Sequence, residues 1–286
     1  MTPFELAEPK SLREAIGLLD RDDPAVRPIA GGTALMLMMK AGLFRPIRLV
    51  SLRSIEPRYA RIEAETDGAL RIGAMATLAS LEHSEAVRTH APVVTRALRT
   101  LANVRVRNQA TVGGNLAHAD PHLDLPPVWI ALGASLWIAG PGDEREIPVE
   151  DLFAGYYETV LRHDEVIAEM VVPSQRGRSA AYLKCATRSA DDWPSLGIAV
   201  SLTLADETIV TCRLALGAAT STPVRLHQAE AALAGSRPDD AALARAGDAA
   251  VAEAEIVSDD RGSAAYKKHL LRVYLARAVK AAMGSA

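Results

Sequence analysis

The feature that most constrains this chain lies at residues 111–127, where Thr111-Val112-Gly113-Gly114-Asn115 is followed by Asp120, Asp124 and the pair Pro126-Pro127. Two glycines in succession free the backbone for positive φ and let its N–H groups approach a ligand with no Cβ in the way. Successive N–H groups facing one concavity suit an anion. Asp120 and Asp124 are acceptors for ligand hydroxyls, and Pro126 and Pro127 stand where a helix through 128–132 begins. One ligand carrying both phosphate and sugar satisfies the whole segment.

A second glycine pair stands upstream in Pro28-Ile29-Ala30-Gly31-Gly32-Thr33-Ala34-Leu35. A short apolar run, Gly-Gly-Thr and an apolar helical stretch describe a strand breaking into a helix N-terminus, which holds phosphate. Either pair alone is equally well explained by a tight turn. Together they predict a pyrophosphate held from both sides.

At 286 residues and 49% hydrophobic, the chain can bury one large core or two modest ones. A net charge of −3 and 4% aromatic residues argue against a nucleic-acid surface. No run approaches the ~18 apolar residues of a membrane span, and the first residues carry no basic or apolar leader. A cytoplasmic protein is the expectation. Cys185 and Cys212 lie outside any CxxC spacing, so this chain supplies neither a disulfide framework nor an iron–sulfur ligand set.

Ser11-Leu12-Arg13-Glu14 has the form of a capping box and opens a first helix to about residue 20. Strand, helix and strand over 26–30, 33–41 and 47–52 predict a parallel unit with the first glycine pair at its strand-to-helix turn. Arg96, Arg99, Arg105 and Arg107 mark a solvated helix face leading into a strand, with docking as the other reading. Strands are expected at 135–138 and 166–172, with an antiparallel return from Ile147. Beyond a polar linker at 174–178 come three strands (181–186, 195–204, 209–216) and helices at 224–234, 239–252 and 262–283. The fold class is α+β, divided into 1–176 and 177–286.

The alternation His118, Asp120, His122, Asp124 is the rival site, a metal-dependent hydrolase using those four side chains. Pro121 interrupts the strand this geometry needs, so the histidines read as polar loop residues and no metal is expected. No dinucleotide fingerprint, P-loop, nucleophile elbow or H-E-x-x-H occurs.

The two motifs Ala30-Gly31-Gly32-Thr33 and Thr111-Val112-Gly113-Gly114-Asn115, with Asp120-Pro121 and Asp124 after the second, resemble the FAD-binding subunit of molybdenum hydroxylases. That family includes the carbon monoxide dehydrogenase medium subunit and the xanthine dehydrogenase flavin domain, and the resemblance runs from about Phe4 to the end of the chain. It implies a PCMH-type FAD-binding domain followed by a three-stranded antiparallel sheet with a helical layer. It also implies no catalytic side chain of its own and FAD as the cofactor. The family places Pro28 to Leu35 and Thr111 to Asn115 along FAD, with Leu101, Asp124, Ile167 and Lys184 beside it. Arg188 completes the Lys184 pattern, and Asp191-Asp192-Trp193-Pro194 falls in a loop near the flavin. The implied partners are a two-iron, two-sulfur small subunit and a molybdenum-cofactor large subunit, with NAD, quinone or oxygen as acceptor. The chain lacks the extra cluster cysteines of hydroxybenzoyl-CoA reductases, and it has Gly-Gly-Thr where many carbon monoxide dehydrogenase subunits have Gly-Gly-His-Ser.

Overall fold

Residues 2–284 are described by a computed structural model. The first sheet is small and parallel, with β1 (Glu5–Ala7), β2 (Val26–Ile29) and β3 (Arg48–Ser51) in the order β1-β3-β2. Helices α1 (Leu12–Gly17) and α2 (Leu35–Lys40) connect its strands. Ser11 caps α1 by accepting from the Glu14 N–H at 3.1 Å, while the Glu14 carboxylate returns to the Lys10 N–H at 2.7 Å. The capping box is therefore formed one residue wider than its pattern.

The second sheet is antiparallel, in the order β4-β5-β10-β6-β7. Its strands are β4 (Ile62–Ala64), β5 (Leu70–Gly73), β6 (Ser135–Ala139), β7 (Glu144–Pro148) and β10 (Val166–Val172), with a hairpin of β8 (Phe153–Gly155) and β9 (Glu158–Thr159) between the last two. Between β5 and β6 the chain runs through α3 (Leu78–His83), α4 (Glu85–His90), α5 (Pro92–Leu98), α6 (Val104–Gln109), α7 (Val112–His118) and α8 (Leu125–Leu132). The third sheet is β11 (Ser179–Cys185), β12 (Leu196–Ala205), β13 (Thr208–Gly217) and β14 (Val224–Arg225), followed by α9 (His227–Leu233), α10 (Asp240–Glu253) and α11 (Ala264–Met283).

Helix α8 joins the two larger sheets. All eight of its residues are buried, Pro126 and Pro127 open it and Gly133, at φ 73°, ends it. It packs on β12 and β13 from the face opposite the C-terminal helices. The period of two along β12 allows this. Leu196, Ile198, Val200 and Leu202 enter the helical core, whereas Ala199 joins the core around α8. Small residues on the α8 side permit close approach; a Cβ on Gly217 would lie 3.1 Å from Pro127.

Three expectations are corrected. Segment 104–109 is helix α6 and not a strand, because Asn103 caps it through the Val106 N–H. Arg107 is turned inward there, bonding Glu82 at 2.8 Å and the carbonyls of Leu101 and Ala102. The expected helix at 224–234 begins only at His227, since Val224–Arg225 pairs with Leu216 and Ala215 as a fourth strand. The second glycine pair is no loop either: Gly113 and Gly114 form the first turn of α7.

Trp129, the largest fully buried side chain, sits in α8, and its indole N–H has no acceptor. Trp129→Ala is expected to destabilise by about 3–5 kcal/mol. Trp129→Phe should cost clearly less, since no hydrogen bond is lost; urea unfolding of the two variants checks the order.

Candidate flavin site

The two glycine motifs meet backbone to backbone. A Cβ on Gly31 would fall 1.9 Å from the Gln109 carbonyl oxygen, and one on Gly114 would fall 3.7 Å from the Ala30 Cβ. Arg53 adds a bond to the Gln109 side chain at 3.0 Å across the same junction. The start of α7 is also tied to the end of β5: Val112 N–H donates to Ala76 O at 2.9 Å and Gly113 N–H to Ala74 O at 2.8 Å. Gly113 is required by that contact, because a Cβ there would meet the Ala74 Cβ at 2.7 Å.

These bonds redistribute the expected roles. Gly114 N–H donates to the Thr111 hydroxyl at 3.1 Å, so the N–H groups of Gly113 and Gly114 are committed within the chain. The N–H groups of Gly31, Gly32, Thr33 and Ala34 have no acceptor among the described residues. Gly32 supplies the positive φ, 70°, that turns this loop, and its neighbour Ile29 packs over it. The uncommitted donors are therefore those of the upstream loop, and Thr111 serves as the N-cap of α7. Asn115, half-buried on α7, keeps a buried Oδ1 with no partner. Pro28, Ile29, Ala30 and Leu35 are likewise half-buried around the loop.

Leu101, Val112 and Ile167 lie in the main apolar core. Asp124 and Lys184 face each other instead of solvent. Lys184 Nζ bonds Asp124 Oδ2 at 3.1 Å, Thr100 O at 2.6 Å and Asp192 O at 3.1 Å, which uses all three of its protons. The Tyr182 hydroxyl donates to the other Asp124 oxygen at 2.6 Å. Burial raises the Asp124 carboxyl above the usual range, against the pull of Lys184 and Tyr182. The expected ligands to a cofactor hydroxyl are thus an ion pair joining α8 to β11. Beside it, Arg96, Thr100, Lys184 and Arg188 line a cavity of about 700 Å3.

The rival metal site is not assembled. Ala119 at φ 52° ends α7, and the four side chains diverge. His118 lies edge-on to Tyr157, Asp120 bonds His122, His122 reaches Asp259, and Asp124 takes Lys184. Among the described residues no group of His, Cys, Asp or Glu is placed to hold a metal ion.

Residues 2–175 match the family described as the FAD binding domain in molybdopterin dehydrogenase, and residues 181–282 match the CO dehydrogenase flavoprotein C-terminal domain. The chain belongs to the FAD-binding medium subunits of the molybdenum hydroxylases. It is 34% identical to the carbon monoxide dehydrogenase medium chain of Hydrogenophaga pseudoflava over 281 residues, covering 98% of this chain and 96% of that one. It is 34% identical to the nicotine 6-hydroxylase medium subunit of Paenarthrobacter nicotinovorans, with 96% and 95% covered. The solved carbon monoxide dehydrogenase from Hydrogenophaga pseudoflava that lacks the Mo-pyranopterin moiety superposes with a TM-score of 0.95, at 35% identity and full coverage of both chains. FAD is the cofactor of this flavin subunit, and the chain is the flavoprotein part of an oxidoreductase. No helix among the described residues is long and apolar enough to cross a membrane.

Breaking one side of the Asp124–Lys184 pair leaves a buried charge without its counter-ion. Lys184→Met should cost about 3–5 kcal/mol. Lys184→Met combined with Asp124→Leu should recover much of that loss, and urea midpoints for the three proteins decide it. Gly31→Ala should lower both stability and flavin content, because the new methyl group meets backbone; Gly17→Ala, in open space at the end of α1, should leave flavin content unchanged and raise stability slightly.

Proposed function

We propose that this chain is the electron-transfer subunit of a molybdenum hydroxylase complex, with FAD held on the face shared by the upstream glycine loop and α7. The observation that carries the reading is the pairing of four free N–H groups at Gly31 to Ala34 with the unsatisfied Asn115 Oδ1 beyond the junction. Such a donor row suits a pyrophosphate, and the Asn acceptor suits a polar hydrogen of the ring or ribityl chain. When bound, FAD supplies the ability to take electrons from a one-electron carrier and give two to an acceptor.

The chain's own residues bind and orient. Ile29 and Leu35 flank the phosphate loop with apolar surface, and Gly32 supplies the positive φ that turns it, where any Cβ would be strained and pressed on Ile29 and Met36. Leu101, Val112 and Ile167 back the site with packed side chains that exclude water. The Asp124–Lys184–Tyr182 network fixes the C-terminal sheet at the edge of that face, which supports a division into a flavin-binding part through residue 176 and a covering part from 177. The cofactor-lining set is Pro28 to Leu35 and Thr111 to Asn115, with Leu101, Asp124, Ile167 and Lys184 behind or beside them.

The partners that fit are a two-iron, two-sulfur small subunit and a molybdenum-cofactor large subunit, a reading supported by the relatives being named as medium chains and subunits of dehydrogenase and hydroxylase complexes. NAD, a quinone or oxygen is the terminal acceptor. Exposed Arg99 and Arg105, with the outward Val104, form the part of the 96–107 segment open to a partner.

Acid precipitation should release FAD and not FMN, since the pyrophosphate is what the upstream loop grips; a colour that stays with the precipitate would refute noncovalent binding. Gly32→Val should lose flavin while circular dichroism shows a folded chain. Under anaerobic conditions, bleaching of the flavin by an aldehyde, purine or carbon monoxide should require both partner subunits, and bleaching by this subunit alone would overturn the relay.

A further inference from the structure

His122 has a carboxylate at each ring nitrogen. Nδ1 lies 3.2 Å from Asp120 Oδ1 and Nε2 lies 3.1 Å from Asp259 Oδ2. Two acceptors require two N–H donors, which only the imidazolium offers. Asp120 is buried and also takes the His122 backbone N–H at 2.9 Å. Asp259 is shared with Lys267, a fully buried lysine that also donates to Ala218 O.

The imidazole ring stacks on Trp193 with centroids 5.9 Å apart and planes 22° apart. Arg261 also stands over the Trp193 ring, at 5.3 Å, and reaches the Trp193 carbonyl at 3.5 Å. An indole attracts cations through its face. Trp193 nevertheless lies in the connection between β11 and β12, which is exposed from Thr187 to Asp191, and is 49% exposed itself. The residue before it matters most: the Asp192 carbonyl accepts from Lys184, and Lys184 pairs with Asp124.

We propose that His122 is a positioning residue for the flavin site: as an imidazolium bonded to Asp120 and Asp259 it presents a cation to Trp193, and with Arg261 it pins the β11–β12 loop whose Asp192 carbonyl anchors Lys184. The groups facing His122 are Asp120 from its own segment, Asp259 from the turn before α11, Lys267 from α11 and Trp193 from the loop. Arg261 and Asp192 sit just beyond, and Tyr157 and His118 lie on the far side of Asp120. The Asp120 bond raises the His122 titration above its ordinary value, with burial opposing and Asp259 assisting. A histidine raised on folding stabilises most fully below its unfolded value of about 6.5. That contribution is lost as pH rises through the folded value, so the loop is pinned on the acid side and released on the alkaline side.

Tryptophan emission tests the proposal, because a protonated imidazole quenches an indole stacked on it more strongly than a neutral one. The flavin-loaded full chain should brighten as pH rises, in a step centred above about 6.5. Trp193→Phe should remove the step, which separates it from Trp129 and Trp137. His122→Gln should also remove it and should lower the hydrogen-exchange protection factors of amides 186–193 at acid pH to the wild-type alkaline values. Asp259→Asn should move the step to lower pH. The idea is overturned if the wild-type chain shows no step, if the step survives in His122→Gln, or, should that variant not fold, if Asp259→Asn leaves the midpoint in place. The proposal rests on the flavin reading only for what the loop faces. Flavin content is measured on every sample, so a colourless wild-type chain with an intact step would sink that reading and leave the clamp standing.

Discussion

The contact between Gly31 and the Gln109–Ala110 backbone is the constraint on which the site depends. It brings the turn after β2 against the junction of α6 and α7, and it does so with no side chain between them. Everything else at the site is referenced to that junction. The N–H groups of the loop 31–34 stay uncommitted among the described residues, and α7 starts where it does because Ala74 and Ala76, just after β5, hold Val112 and Gly113 by their N–H groups. A polar row that faces outward from a rigid seam is preorganised: the donors are fixed before the anion arrives, so little ordering is required on binding.

The second organising element is the buried ion pair of Asp124 and Lys184. Its net contribution to stability is small by the usual balance of desolvation against attraction. What it does supply is geometry. Asp124 immediately precedes α8, Lys184 lies on the same buried face of β11 as Tyr182, and together they match all three Lys184 protons and give each Asp124 oxygen a donor. The C-terminal sheet is thereby held against the start of α8 by polar matching, while α8 supplies the apolar bulk of the same interface.

Much of this was legible in the sequence because it is local. Ser11 three residues before Glu14, a short apolar run before Gly31 and an apolar run after Pro126-Pro127 each report on bonds made within a few residues. Segment 104–109 misled because Val104 and Val106 alternate with arginines at a period of two, as a strand would, and the deciding Asn103 cap is a single side chain. The glycines of α7 misled for the opposite reason: glycine disfavours helix, yet here it is demanded by Ala74, far back in the chain. Lys184 was identifiable as a residue of interest, but its partner stands 60 residues away, and His122 meets Asp259 across 137. Pairings over such separations leave no periodicity to read. The family resemblance reached the cofactor and the fold class by another route, through two motifs whose order and separation are specific even though each is common.

The alternation along β12 has a consequence for how this chain can change. Its large residues face one core and its small residues the other, so the strand is a partition wall with differently dressed sides. Inserting or deleting a single residue there would exchange the two sides, driving leucines into the tight face against α8 and leaving alanine-sized gaps under the C-terminal helices. Length changes in that wall are tolerable only in pairs, or as a bulge such as the one already present between Thr203 and Leu204. The hairpin beyond that bulge, exposed at Asp206 and Glu207, is where the chain is free to grow or shrink without either core registering it.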